Sequence, residues 1–346
     1  MKRFFKLFVP VTAIIIVAAV AWYFFYWLKT PQHSVTLIID AVKQHDVNTF
    51  EKHVDMNSVY GRAYDDLVTV TFGEETHNNP IIVSIVKSLK PFAIPLLANE
   101  TRNYVKTGKF MDTAATQEAG GGANSGTDIV ESLKNKTGVR DLRYKGIADT
   151  DVNGDSADLG LILHDSSTEQ DLRLNVKMVK TDDDLWQLNE VSNLKEFIEA
   201  RKAGEAKMLA KLNQPLQTRL AEAAEIKQLG IKKSSVHYSS LIQLLEAEIN
   251  IRNTSNKNII YLAGNIELYN DTDELFYVAG FAGNKVLPIN SAANYKFDWE
   301  LNPYIKEDSL IINSNLNNIK WKIYLTGIRF DDATTLELLT EIPAKK

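Results

Sequence analysis

The strongest constraint on this chain is a run without a charge, Leu7–Leu28, which reads LFVPVTAIIIVAAVAWYFFYWL. An α-helix of that length reaches roughly 33 Å, enough to cross a bilayer core of ~30 Å, so a single transmembrane helix is expected here. The rival reading is a cleavable signal peptide, with Lys2, Arg3 and Lys6 as its basic start and Ala19-Val20-Ala21 as its cleavage site. Beyond that site, however, the chain continues as Trp22, Tyr23, Phe24, Phe25, Tyr26 and Trp27. Processing sites are followed by polar chain, whereas a row of aromatic rings suits the headgroup belt of an uncleaved anchor. Lys2, Arg3 and Lys6 precede the run and only Lys29 follows it closely, so the positive-inside rule predicts a cytoplasmic N-terminus. The bulk of the chain is then expected outside the cytoplasm, periplasmic or extracellular, on a single-pass protein of the inner membrane.

Composition excludes several classes of function. The chain has no Cys, which removes a lipid-attachment cysteine, a disulfide framework and a thiolate metal site. Net charge is −5, with acids and bases interspersed and no basic patch interleaved with aromatics, so nucleic acid is not expected as a partner. Asn-x-Ser/Thr triplets at Asn99, Asn135, Asn253 and Asn270 read as chance in an Asn-rich chain. The 346 residues less the anchor are enough for two ordinary domains. The expected division is a tail at 1–6, the anchor at 7–28, an α+β domain at 33–192, a helical connector at 193–233 and a β-sandwich at 234–342.

In the first domain Val35, Ile38, Ile39 and Val42 mark one face of a helix ending near His45. Phe50 and Val54 continue a second short turn or helix. Asn57 is the expected N-cap of a third, carrying Tyr60, Tyr64, Leu67 and Val68, and Asn79-Pro80 opens a fourth. Pro91 and Pro95 predict a kink or two shorter helices there. Four strands follow: Val139–Ile147, Ala157–His164, a run through Leu172, Leu174, Val176 and Met178, and Leu185–Val191. Helices first and an antiparallel meander after them is an α+β plan.

Two motifs in this half invite chemistry. Residues 112–127, DTAATQEAGGGANSGT, are glycine-rich but lack the Gly-Lys-Ser/Thr of a phosphate loop, and read as a plain loop. The link Asp149–Asp155 reproduces the first positions of a calcium loop, yet position 12 is Gly160 and both flanks read as strands. An acidic Asn-Gly hairpin turn accounts for it, and calcium there is left open.

The order of anchor, Pro-containing link and helix IIDAVKQHDVNTFEKHVD, closing on the strand and helix DLWQLNEVSNLKEFI, resembles the membrane-anchored members of the nuclear-transport-factor-2-like group. That resemblance implies helices packed into a curved, cone-like sheet. Some such cones are isomerases or dehydratases, but no catalytic constellation matches here residue by residue.

Asn193 with Glu196 forms a capping-box pattern opening the connector helix, which Pro215 is expected to interrupt and Gly230 to end. From Ser234 the character is all-β, about seven or eight strands with regular turn signals, Leu310–Ile312 among them. EINIRNTSNKNIIYLAGNIELYND resembles bacterial extracytoplasmic sandwich domains of immunoglobulin-like type, which usually bind or space. Tyr295, Phe297, Trp299, Trp321, Tyr324 and Phe330 are expected as sheet core rather than as a carbohydrate platform.

The six histidines are scattered, and neither a His-Glu-x-x-His nor a Gly-x-Ser-x-Gly motif occurs. The adjacent carboxylates Asp65-Asp66 and Glu74-Glu75 read as solvated. No catalytic, cofactor-binding or metal-ligating residue is therefore assigned, and no cofactor. The sequence points to a membrane-anchored, non-enzymatic binding or scaffold protein that holds an envelope protein partner. The alternative is a small-ligand sensor or enzyme working in the cone interior, a concave apolar pocket of the default kind.

Overall fold

The computed structural model describes Tyr23 and residues 26–72, 80–109, 141–236, 239–316 and 319–343. Among these it has six α-helices and eleven strands in three antiparallel sheets, divided between two compact units that meet in sequence at Glu205 and Ala206.

In the first unit a 3-10 turn at Trp27–Lys29 leads into α1 (Pro31–Gln44), where Thr30 accepts the His33 amide at 3.2 Å and Pro31 takes the first helical position. His45 ends α1 in the left-handed region, and Asp46 caps α2 (Val47–His53). Helix α3 (Met56–Phe72) is capped by Asp55, whose carboxylate accepts the Ser58 amide at 3.1 Å, two residues before the expected Asn57. Helix α4 (Pro80–Thr107) carries Pro91 and Pro95 without dividing.

The sheet is β1 (Leu142–Asn153), β2 (Ser156–Asp165), β3 (Gln170–Lys180) and β4 (Trp186–Val191), each strand paired with its chain neighbour. Ala157, Leu159, Val176, Met178 and Trp186 point to the side on which Val35 of α1 packs. A contiguous cluster joins Ala41, Phe50, Val59, Ala98 and Val105 of the helices, with Leu188 of β4 against it. Trp186 also donates its indole N–H to the Lys29 carbonyl at 2.9 Å.

Helix α5 (Leu194–Ala223) begins against this sheet. Asp165 is fully buried and accepts the Ser167 amide at 2.8 Å and the Arg201 Nε at 3.1 Å. The equally buried Arg201 also meets Glu205 at 2.8 Å and Asp141 at 3.8 Å. Gly204 lies where α5 passes β3, with the end of the Gln170 side chain against it. The expected capping box is replaced: the Asn193 side chain accepts the Asn175 amide at 2.7 Å and donates to the Arg173 carbonyl at 3.1 Å, clamping β3.

The second unit contains the C-terminal turns of α5, a four-stranded sheet in the order β11-β10-β7-β8 and a three-stranded sheet β5-β6-β9. Their ranges are β5 (Ala224–Val236), β6 (Ser239–Asn253), β7 (Ile259–Tyr269), β8 (Leu275–Gly283), β9 (Ala292–Leu301), β10 (Lys320–Phe330) and β11 (Thr335–Glu337). Leu245, Ala247, Ile249 and Ile251 of β6 are fully buried, as are Leu262, Ile266 and Leu268 of β7. The clusters they form hold residues of both sheets, the sandwich-like arrangement the alternation implies.

Two segments depart from their expected state. Helix α5 runs through Pro215 but stops at Ala223, and residues 224–230 are strand rather than helix. The Ala223 carbonyl accepts the amides of Thr254 and Ser255 at 3.0 and 3.1 Å, so the turn after β6 closes the helix end and β5 starts at once. Leu310–Ile312 belongs to helix α6 (Lys306–Asn313) instead of a strand. Glu307 and Asp308 favour its N-terminus, and the Lys233 ammonium caps the carbonyls of Ile311, Ile312 and Ser314 at 3.2, 2.7 and 2.7 Å.

The expected fold class, a cone-like α+β domain and an immunoglobulin-like sandwich preceded by one transmembrane helix, is corrected. Among the described residues no helix is long and apolar enough to cross a membrane. The two long helices fail on composition: α4 carries Lys90, Glu100, Arg102 and Lys106, and α5 is studded with Lys and Glu. Of the expected anchor only Tyr23, Tyr26, Trp27 and Leu28 fall among the described residues, the last two in the 3-10 turn closed by the Lys29 and Thr30 amides at 3.1 Å. The rest of that stretch lies outside them.

Candidate functional site

The second unit contains a cleft of about 680 Å³. Gln217, Leu220 and Ala221 of α5 form one wall, Ala224, Glu225 and Ile226 of β5 another, and Ile323, Tyr324 and Leu325 of β10 with Glu267 of β7 the third. Leu220 is buried because the apolar side of the last turns of α5 roofs the sandwich core, leaving Gln217 and Ala221 beside the opening.

Strand register places the polar groups. On β7 the apolar Ile266 and Leu268 turn inward, so Asn265, Glu267 and Tyr269 turn outward. Tyr324 of β10 lies opposite Asn265 and Lys322 opposite Glu267. The Glu267 carboxylate is the hub: Tyr324 donates its hydroxyl to it at 3.0 Å, and Tyr269 donates to its other oxygen. The Tyr269 phenol is pushed up to about 12, first by that hydrogen bond and then by burial. Tyr324 is also raised, chiefly by burial, with the Asn265 amide at 3.5 Å opposing and Glu267 reinforcing. Both phenols therefore stay protonated near neutral pH and act as donors. Lys322 lies with its ammonium 4.4 Å from the Tyr269 ring centre, and Glu225 pairs with Lys227 at 4.0 Å.

The main chain of β10 supplies a second set of groups. Strand β11 pairs with β10 only at Gly327–Arg329, and among the described residues no strand pairs with that edge over 320–326. The Gln228 amide caps the Trp321 carbonyl at 3.0 Å, and the Leu338 amide meets the Thr326 carbonyl at 2.8 Å. Between these two points the alternation of the ladder turns the N–H and C=O of Ile323 and the N–H of Leu325 toward the cleft. The chain after β11 does not continue along the edge, because Asn213 of α5 draws Leu339 aside, accepting its amide at 2.7 Å and donating to its carbonyl at 2.9 Å.

A second, shallower depression of about 490 Å³ lies in the first unit among His45, Asp46, Arg102, Asn103 and Lys106. Its His45 donates Nδ1–H to the Val105 carbonyl at 2.8 Å, a helix-packing contact.

The residues weighed from sequence are dispersed. Asp149 of the calcium-like turn is held in a two-pronged pair with Arg173 at 2.6 and 2.8 Å, and Gly154 supplies a hairpin turn at φ 61°. No group of three or more His, Cys, Asp or Glu that could hold a metal occurs among the described residues. Asp65 pairs with Lys90 at 2.7 Å, while Asp66 is raised by burial and then by the charges of Glu196, Asp65 and Glu190. Glu74-Glu75 and the glycine-rich 112–127 lie outside the described residues. Asn253 is fully buried and bonds Lys257 and Leu287 carbonyls at 2.8 and 2.9 Å, as a structural residue does. Of the six weighed aromatics, Tyr295 and Phe330 are core, Phe297, Trp299 and Trp321 pack on it, and Tyr324 alone lines the cleft. Glu267 and Glu225 were not singled out from sequence; the outward alternation of Asn265, Glu267 and Tyr269 was the available signal.

No family model matches the chain, and no curated protein does. Among solved structures, one structural-genomics target is 15% identical over 34% of this chain and 80% of its own, with a TM-score of 0.21. A structure described as the ApaA protein of Bordetella pertussis is 9% identical over 35% of this chain and 91% of its own, with a TM-score of 0.20. Likenesses this slight say nothing about fold or activity.

Proposed function

We propose that this is a non-enzymatic binding or scaffold protein whose second unit holds a segment of a protein partner in the cleft beside β10. The observation that carries this reading is the cleft's wall, which alternates apolar side chains with polar groups while Glu267 is engaged by Tyr324 and Tyr269 and Glu225 by Lys227. An apolar surface with a few convergent hydrogen-bonding groups is built for holding. The rival reading, a sensor or enzyme inside the first unit, draws less support. There the buried His53 donates Nδ1–H to the Trp186 carbonyl at 3.1 Å, a contact that ties helix to sheet. An extracytoplasmic address belongs to the proposal and rests on the sequence of residues 1–29 alone.

A photo-cross-linking residue in place of Gln217, compared in living cells with one at the exposed Leu229, tests the reading. A protein-sized adduct is expected from the first position and not the second. Equal adducts from both, or none from Gln217, would overturn it.

A further inference from the structure

Resting on that binding reading, we infer that the cleft takes an extended basic peptide, added as a strand to the bare edge of β10. Three observations converge. The edge is open over a short, bounded stretch, stopped at Trp321 by the Gln228 side chain and at Thr326 by the Leu338 amide. Between those stops the main chain of Ile323 and Leu325 faces the cleft with no strand partner among the described residues, while their side chains pack with the sandwich core. A main-chain donor and acceptor in that position are met by a peptide backbone, and strand addition is the way a sheet edge binds one. At about 3.3 Å per residue the stretch accommodates about five residues.

The charge of the occupant follows from the lining. Glu225 and Glu267 are the ionisable carboxylates of the cleft wall, and among the described residues no lysine or arginine lines it. Lys227 pairs with Glu225 at 4.0 Å from the exposed side, and the Lys322 ammonium lies over the Tyr269 ring. Alternate side chains of an added strand point to opposite faces, so lysine or arginine at every second position would meet Glu267 and Glu225 while its neighbours cover Leu220 and Ala221. An acidic segment would meet two carboxylates at close range.

The test uses the full chain and five-residue probes: acetyl-Val-Lys-Val-Lys-Val-amide, its Glu-for-Lys counterpart, and two isomers N-methylated either at the valines or at the lysines. Binding is read as slowed hydrogen exchange at the Ile323 and Leu325 amides. The Lys peptide is expected to slow both, the Glu peptide to bind at least about tenfold more weakly, and one N-methylated isomer to lose binding while the other keeps it. Glu225→Gln with Glu267→Gln should abolish the preference for Lys while leaving exchange of the Ile249 and Leu268 amides unchanged. Equal binding of both methylated isomers, equal binding of the Glu peptide, or no slowing at roughly millimolar peptide would overturn the inference. In the last case a protein adduct at Gln217 would leave the binding reading standing without strand addition. Self-association that the peptide disperses would make a second copy the occupant, which also overturns it.

Discussion

Replacing Asp165 with Asn removes the charge of a fully buried carboxylate while keeping its shape. The partner left behind, Arg201, has a side chain only 4% exposed. Removing one member of a buried pair costs about 3–5 kcal/mol, because the other charge stays buried without compensation. Glu205 at 2.8 Å and Asp141 at 3.8 Å retain part of that compensation, which puts Asp165→Asn at the lower end, about 3 kcal/mol. Arg201→Met leaves Asp165 its Ser167 amide and hydroxyl, so about 2–3 kcal/mol is expected. The double variant strands no charge and should cost about 2 kcal/mol, well below the sum. Native-state hydrogen exchange at the Leu159 and Val176 amides isolates the unfolding of this sheet from events in the second unit. A loss below about 1 kcal/mol for Asp165→Asn, or a double variant costing the full sum, would refute the reasoning. The pH profile gives a second readout. Burial raises the Asp165 carboxyl, but Ser167, Arg201 and Thr168 together hold it below its ordinary 3.8. Its contribution is thus complete above that value and is lost as pH falls through the lower folded value, a loss the Asn variant lacks.

Glu246 is held down to about 2 by the Lys296 ammonium and then by the Ser234 hydroxyl, so its share of stability should be complete above pH 4.5 and vanish toward pH 2. Acid titration of Glu246→Gln should show a flatter stability curve in that window, and an unchanged curve would sink the assignment. Gly264→Ala would drive a Cβ into the Phe281 ring and the Tyr324 carbonyl, which should cost about 1–3 kcal/mol in denaturant unfolding; a neutral result would mean that the neighbouring strands β8 and β10 can give way there. Asn213→Ala strips Leu339 of two hydrogen bonds, with an expected loss of about 1–3 kcal/mol and faster exchange of the Leu339 amide. Unaltered exchange at Leu339 would show that another group positions this segment.

Particular residues show where sequence suffices. The alternation of Leu159, Leu161 and Leu163, and of Leu172, Leu174, Val176 and Met178, fixed β2 and β3 because one face is buried and a one-residue slip would invert it. Residues 224–230 read as helix because they continue the Ala-Glu-rich run 221–225, of high helix propensity, and only the turn at Thr254–Ser255, about thirty residues on in the chain, ends the helix. Leu310–Ile312 reads as strand locally, yet Lys233 from a distant strand caps it as helix. In the cleft, the outward row Asn265, Glu267, Tyr269 was legible by period two. Tyr324 joins it only through the β7–β10 register, and the bare edge exists because Asn213 diverts Leu339, contacts that no local pattern encodes.

The strand orders of the two units also set the tempo at which each matures. Every strand of the first sheet finds its partner one hairpin away, so that sheet assembles as soon as its hairpins are made. In the second unit β6 must wait for β9 and β7 for β10, with whole strands intervening. Closing such long loops slows folding. On the ribosome the apolar rows Leu245–Ile251 and Leu262–Leu268 therefore stay incompletely covered until β10 emerges, the state in which nascent chains aggregate or engage chaperones.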